Sequence, residues 1–220
     1  MKRRTLPVAA ALVATATLLL TACGGSDGGE SKGNDKIAGV DTGSETSASA
    51  SPSDTAAAAE GRPQITFPGG VANVFEDEKT GDTKKDAVLA DNAQRINSID
   101  DAIFQDKAST AALGYYSKDK ALTSAVTFIQ GYLDKNLTWT GTTRYFDRKV
   151  TIGQDGTATL VYCADESKSF LKNRKTGKID NTPTSATSYV LYNTKLAKND
   201  QGVWQTINVI SVRGAKQCQP

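Results

Sequence analysis

Residues 144–164 read RYFDRKVTIGQDGTATLVYCA, and the fold turns on this stretch. From Arg144 to Ile152 the side chains alternate, with Phe146, Val150 and Ile152 on one side and charged residues interleaved. A period of two marks a strand with one buried face. Gln154-Asp155-Gly156 has the composition of a tight turn, and Thr157 to Ala164 returns as a second strand. The remainder of the chain is organised around this hairpin.

Downstream, Ser169 to Asn173 extends the returning strand or opens a new one, and Lys175-Thr176-Gly177 makes another turn. Ser188 to Leu196 and Val203 to Val212 are two long strands joined through Asn199-Asp200-Gln201-Gly202. Upstream the period changes. Leu89, Ala93, Ile96, Asn97, Asp100 and Ile103 recur at helical spacing between Asp82 and Asp106, and a capping signal at Ser98-Ile99-Asp100-Asp101 suggests a break near Ser98. A further helix, capped by Ser117 or Asp119, carries the stripe Leu122, Ala125, Val126, Ile129, Tyr132 and Leu133 and ends at Asn136. Helices followed by an antiparallel meander of four or more strands is the order of an α+β domain, with the helices packed on a curved sheet. No parallel βαβ unit and no internal repeat is visible.

The 220 residues suffice for one globular domain with extensions. Met1-Lys2-Arg3-Arg4 is a positive start, and Leu6 to Leu20 is an apolar run of about fifteen residues, the length of a signal-peptide core and short for a membrane span. Residues 1–22 are therefore expected to be a leader. Removing Lys2, Arg3 and Arg4 leaves 23 basic against 24 acidic residues, without the basic field that nucleic-acid binding needs. Residues 23–66 are poor in aromatic and large aliphatic side chains and rich in Gly, Ser, Thr and Ala, the composition of a disordered tether reaching roughly 35 Å. Residues 67–220 form the expected globular domain.

Leu20-Thr21-Ala22-Cys23 resembles the lipobox of bacterial prolipoproteins. The resemblance implies that the Cys23 sulfur takes a diacylglyceryl group and that cleavage before Cys23 makes it the N-terminus. Two acyl chains anchor stably where one binds reversibly, so the chain is expected on the outer face of a bacterial cell membrane. The order of elements resembles the nuclear-transport-factor-like, cystatin-like α+β cone, and secreted lipoproteins of that fold. The likeness is carried by the strand end Tyr162-Cys163-Ala164-Asp165 with Ser167, and by the tail from Gly202 and Trp204 through Arg213 to Cys218. It implies a conical space between sheet and helices that is catalytic in some members and only binds in others.

The chain contains no histidine, which excludes His-based triads, dyads and metal sites. Once Cys23 is lipidated, Cys163 and Cys218 remain outside the cell, where a thiol pair forms a disulfide; there is no Cys-x-x-Cys. Ser169-Phe170-Leu171-Lys172 and Lys175-Thr176-Gly177 spell penicillin-interacting motifs, but in the wrong places for them. The run Glu76-Asp77-Glu78 with Asp82 lacks the spacing of a calcium loop. Acid–base work would fall to Asp147, Asp165 and Glu166 near strand ends, beside Tyr145, Tyr162, Tyr189 and Tyr192. Asp165 is the best candidate base, with capping of backbone N–H groups as its plainer role. The expected function is a non-enzymatic, membrane-tethered binding or scaffolding module for a partner protein, an envelope component or a small apolar ligand. The alternative is an enzyme with a carboxylate–tyrosine site in the cone. No cofactor or metal is expected, and the membrane is engaged through Cys23.

Overall fold

A computed structural model describes residues 61–220. The expected leader, Cys23 and the expected tether up to residue 60 lie outside the described residues. Strand β1 (Val71–Phe75) is followed by helices α1 (Thr83–Phe104), α2 (Ala111–Tyr116) and α3 (Asp119–Asp134). Then come β2 (Leu137–Ile152), β3 (Ala158–Asn173), the short β4 (Ile179–Asp180), β5 (Tyr189–Lys198) and β6 (Trp204–Arg213). The sheet runs β1-β2-β3-β5-β6, with β4 paired to β3, and stays open between its edges β1 and β6. The helices pack on one of its faces, as expected for the α+β class.

The hairpin that opened the sequence is the β2–β3 pair, with Ile152 opposite Ala158 and Phe146 opposite Cys163. Both strands are longer than the alternation alone shows, because Ser169 to Asn173 continues β3 rather than opening a new strand. Register shifts between Thr142 and Arg144 and between Phe146 and Lys149 mark irregularities in β2, which bend and twist a long strand. Asp147 sits in the second of them at φ 54°. Gly141, at φ 98°, lies so close to the Lys168 carbonyl that a Cβ there would overlap it at 2.1 Å. Only glycine fits that approach.

Three local expectations are corrected. Strand β1 precedes the helices and pairs in parallel with β2, Val71 opposite Gly141 through Phe75 opposite Tyr145. Its five residues lack alternation, and their strand partners lie some seventy positions away. Helix α1 runs unbroken through Ser98, whose Oγ donates to the Arg95 carbonyl at 2.7 Å, a bond made inside the helix rather than at a cap. Asp82 caps α1 by accepting from the Lys84 and Lys85 N–H groups. The cap of α3 falls on Lys118, without a side-chain bond, so neither Ser117 nor Asp119 serves.

The first half of α1 buries Val88, Leu89 and Ile96 against Ala158, Leu160, Tyr162, Leu196 and Trp204. Its second half buries Ala102 and Ile103 with Leu113, Ala125, Ile129 and Trp139. Asp91 of α1, fully buried, accepts from the Trp204 N–H at 2.8 Å and from the guanidinium of Arg62, tying the start of the described chain to the helix.

Candidate functional site

Alternation along β2, β3 and β5 places Tyr145, Tyr162 and Tyr192 on the sheet face that looks at α1. The register puts Tyr162 opposite Tyr192 and Tyr145 opposite Ala164. The rings of Tyr162 and Tyr192 stack with centroids 5.0 Å apart, and Tyr145 stands edge-on to Tyr162 at 6.1 Å. Phe75 of β1 stacks on the other side of Tyr145 at 4.9 Å. Three tyrosines on three neighbouring strands thus make an aromatic wall.

Helix α1 supplies the opposite wall with polar residues. Asn92 and Arg95 stand one turn apart and are both buried. Asn92 faces Tyr162 without a hydrogen bond of good geometry. Burial lowers the Arg95 pKa, and the three tyrosines lie within electrostatic reach of its guanidinium. Farther along the helix, Asp100 accepts from Asn73 Nδ2 at 2.7 Å and from Trp139 Nε1 at 3.1 Å. Desolvation pushes its carboxyl up to about 7, although both donors pull the other way. Asp100 therefore clasps β1, α1 and β2 together.

The rim is closed by a charge pair. Arg213 of β6 donates to both oxygens of Glu166 at 2.7 and 3.2 Å. Tyr132 of α3 lies nearby, its hydroxyl pushed up to about 12 by burial and by the neighbouring Asp100 and Glu166 charges. Exposure falls steadily inward. Ser211 and Arg213 are exposed, Tyr132, Tyr192, Tyr145 and Asp100 are half-buried, and Tyr162, Arg95 and Asn92 are buried. Between α1, α3 and the sheet the side chains grade from an exposed ionic pair through aromatic rings to buried polar groups, an arrangement we call the funnel.

Of the carboxylates singled out in the sequence, Glu166 is held by Arg213 at the rim, and Asp165 and Asp147 stand elsewhere. Asp165 is paired in register with Arg144 and Tyr189, on the face turned away from α1. Its Oδ1 accepts the Ser167 N–H at 2.9 Å, and its Oδ2 is 3.6 Å from Arg144 Nη2, so its plainer capping role is the one it fills. Asp147 is exposed at its irregularity in β2 and pairs with Lys149 at 2.7 Å. Tyr189 also faces outward, into a small cluster with Cys163, Ala215, Cys218, Phe146 and Leu191. Cys163 and Cys218 form a disulfide, with Cα atoms 5.5 Å apart, that holds the C-terminal tail on this outer face. Among the described residues no cluster of three metal-ligating side chains occurs. A separate shallow depression of 570 Å³ lies outside the funnel, along Phe67, Pro68, Phe104, Trp139 and Arg174.

Sequence reasoning found the tyrosines and missed the helix. Asn97 and Asp100 lay within the periodic stripe of α1, and a carboxylate on the inward stripe of a helix is itself a signal. Asn92 and Arg95 flank the same stripe.

No family model and no curated protein sequence matches the chain. Among solved structures, it is similar to a ketosteroid isomerase-like protein from Erwinia carotovora atroseptica, with 12% identity and a TM-score of 0.42, over 60% of this chain and 97% of that one. It is also similar to Aln2 from a Streptomyces species, with 12% identity and a TM-score of 0.40, over 61% and 94%. ActVI-ORFA from Streptomyces coelicolor matches at 9% identity and a TM-score of 0.39, over 58% and 94%. At such identities the likeness concerns topology and carries nothing about activity.

Proposed function

We propose that this chain is an extracytoplasmic lipoprotein, held at the outer face of a bacterial membrane by lipid on Cys23. Its α+β domain is a non-enzymatic module that binds a small ligand in the funnel between α1 and the sheet. The observation that carries the binding reading is the gradient of exposure from Arg213 at the rim to Arg95 at the floor. A concave, aromatic-lined space with a few inward polar groups is the usual form of a small-molecule site. The polar groups of this funnel favour holding over reacting. Asp100 has both oxygens engaged by Asn73 and Trp139, and Glu166 is engaged by Arg213. Of the strand carboxylates, Asp147 is spent on a surface pair with Lys149 and Asp165 on local structure on the other side of the sheet.

Anchoring and binding are tested separately. Cys23→Ala removes the sulfur that a thioether to diacylglycerol requires, and the variant is expected in the soluble fraction or unprocessed. A processed variant still in the membrane fraction defeats the anchor. For binding, small aromatic and aliphatic fragments are expected to shift the amide resonances of Tyr145, Tyr192 and Asn97. Ser211→Trp, on the strand position opposite Tyr192, is expected to plug the mouth and abolish those shifts. Shifts confined to the outer face, or none, defeat the funnel.

A further inference from the structure

Two arginines are buried inside the domain, and their surroundings differ. Arg148 donates from Nη2 to the Leu89 carbonyl at 2.6 Å and from Nη1 to the Glu76 carbonyl at 3.4 Å. Its guanidinium also lies over the Phe75 ring at 5.1 Å. Arg95 is 5% exposed, and among the described residues its side chain meets no acceptor, the Nε being fully enclosed and unpaired. The buried and half-buried carboxylates of the same helix are already taken. Asp91 is held by Arg62 and the Trp204 N–H, Asp100 by Asn73 and Trp139, and Asp101 by Gln105.

A guanidinium does not relieve such a position by losing its proton in any ordinary pH range. It remains a desolvated cation without a counter-charge, which is costly to the fold. One turn earlier, Asn92 is fully buried with both amide atoms unpaired. Two neighbouring unsatisfied polar groups on one helix face are the exception in native interiors and ask for a partner.

We propose that the floor of the funnel is a binding site for a small organic monocarboxylate, whose oxygens meet Arg95 and Asn92 and whose apolar body lies against Tyr145, Tyr162 and Tyr192. The proposal rests on the funnel being the binding surface, and it names the chemistry that surface accepts. The planar fork of a guanidinium matches the two oxygens of a carboxylate. A single uncompensated positive charge at the floor matches a single negative one. The apolar side chains clustered there, Leu160, Ile96 and the tyrosine rings, suit a hydrocarbon body and give nothing to a bare inorganic anion.

The test is calorimetric titration of the purified chain with benzoate and hexanoate, against benzamide, hexanamide and inorganic phosphate. The carboxylates are expected to bind saturably, one per chain, and at least tenfold tighter than the matching amides, with phosphate inert. Arg95→Met is expected to abolish carboxylate binding and to raise the melting temperature by several degrees, because it keeps the stem and removes an unpaired buried charge. Arg95→Lys keeps the charge without the fork and is expected to weaken binding several-fold. If the Met variant does not fold, Asn92→Leu takes its place, with a tenfold loss of carboxylate affinity expected and unchanged affinity overturning the site. Amides binding as tightly as carboxylates, indifferent to residue 95, overturn the anion site and leave the funnel reading standing. Phosphate binding as tightly as benzoate overturns the ligand class, and a folded Arg95→Met that keeps its carboxylate affinity while its melting temperature falls makes Arg95 structural. If no compound binds and fragments leave the funnel resonances unmoved, the funnel reading and this inference fall together.

Discussion

The inner and outer faces of the sheet are made by the same strands, residue against next residue, and are held by different forces. On the inner face Leu160, Tyr162, Leu196 and Trp204 disappear under α1 and its neighbours and form part of a continuous core. Among the described residues no α-helix lies over Cys163 and Tyr189 on the outer face. The tail from Ala215 to Cys218 covers one end, and Ile210 and Val212 stay 61% and 52% exposed. A cluster with only four buried residues removes little apolar area from water, so the tail is fixed covalently. Burial by helices stabilises one face, and a cross-link stabilises the other. The polar interior at Arg95 and Asp100 belongs to the face that has hydrophobic stability to spare.

That contrast breaks most visibly at the disulfide. Cys163→Ser removes a bridge spanning 55 residues, and a chain-entropy treatment puts the loss at about 4 kcal/mol. The expected outcome is a lower urea midpoint together with early proteolytic trimming after Arg213. Trimming without a change in midpoint would mean that the tail merely rests on the sheet.

Adjacent residues sharpen the comparison. Leu160 is fully buried on the inner face, and Leu160→Ala should cost roughly 3 kcal/mol. Val161, its neighbour on the outer face, is half-buried, and Val161→Ala should cost about 1 kcal/mol. Equal losses in denaturant unfolding would contradict the assignment of faces.

Asp100 gives the inner face a pH dependence. Native Asp100 holds its proton to about pH 7, whereas an unfolded Asp releases it near 4. In that window the native state binds more protons, so stability falls as pH rises from about 4 to 7. The slope should amount to about 2 kcal/mol, allowing for the water that still reaches a half-buried side chain. Asp100→Asn should flatten it, and an unchanged slope would remove Asp100 as its source.

The smallest effects belong to the outer surface. Asp165→Asn, which keeps an acceptor for the Ser167 N–H, should cost about 1 kcal/mol at most. Ile210→Thr should lie within about 0.5 kcal/mol of neutral. A loss of several kcal/mol at either position would mean that this face is covered in solution.

Alternation in residues 144–164 was enough to show the hairpin and to place Tyr162 on the face opposite Cys163 and Asp165. The irregularity after Phe146, however, turns Phe146 to the outer face while Val150 and Ile152 pack inward, so the three do not share a side as the alternation suggested. Helical spacing upstream showed the stripe through Leu89, Ile96 and Ile103, and the cysteine count left Cys163 and Cys218 to pair. These signals are periodic or chemical and need no knowledge of distant contacts. What alternation lacks is any mark of which face the helices cover, and for that reason Asp165 looked like an inward base. The parallel pairing of β1, the donors that reach Asp100 from Asn73 and Trp139, and the isolation of Arg95 arise only when segments tens of residues apart are brought together. Period and composition are local properties of the chain. The charge balance of an interior depends on which distant groups arrive there, and tertiary packing alone decides that.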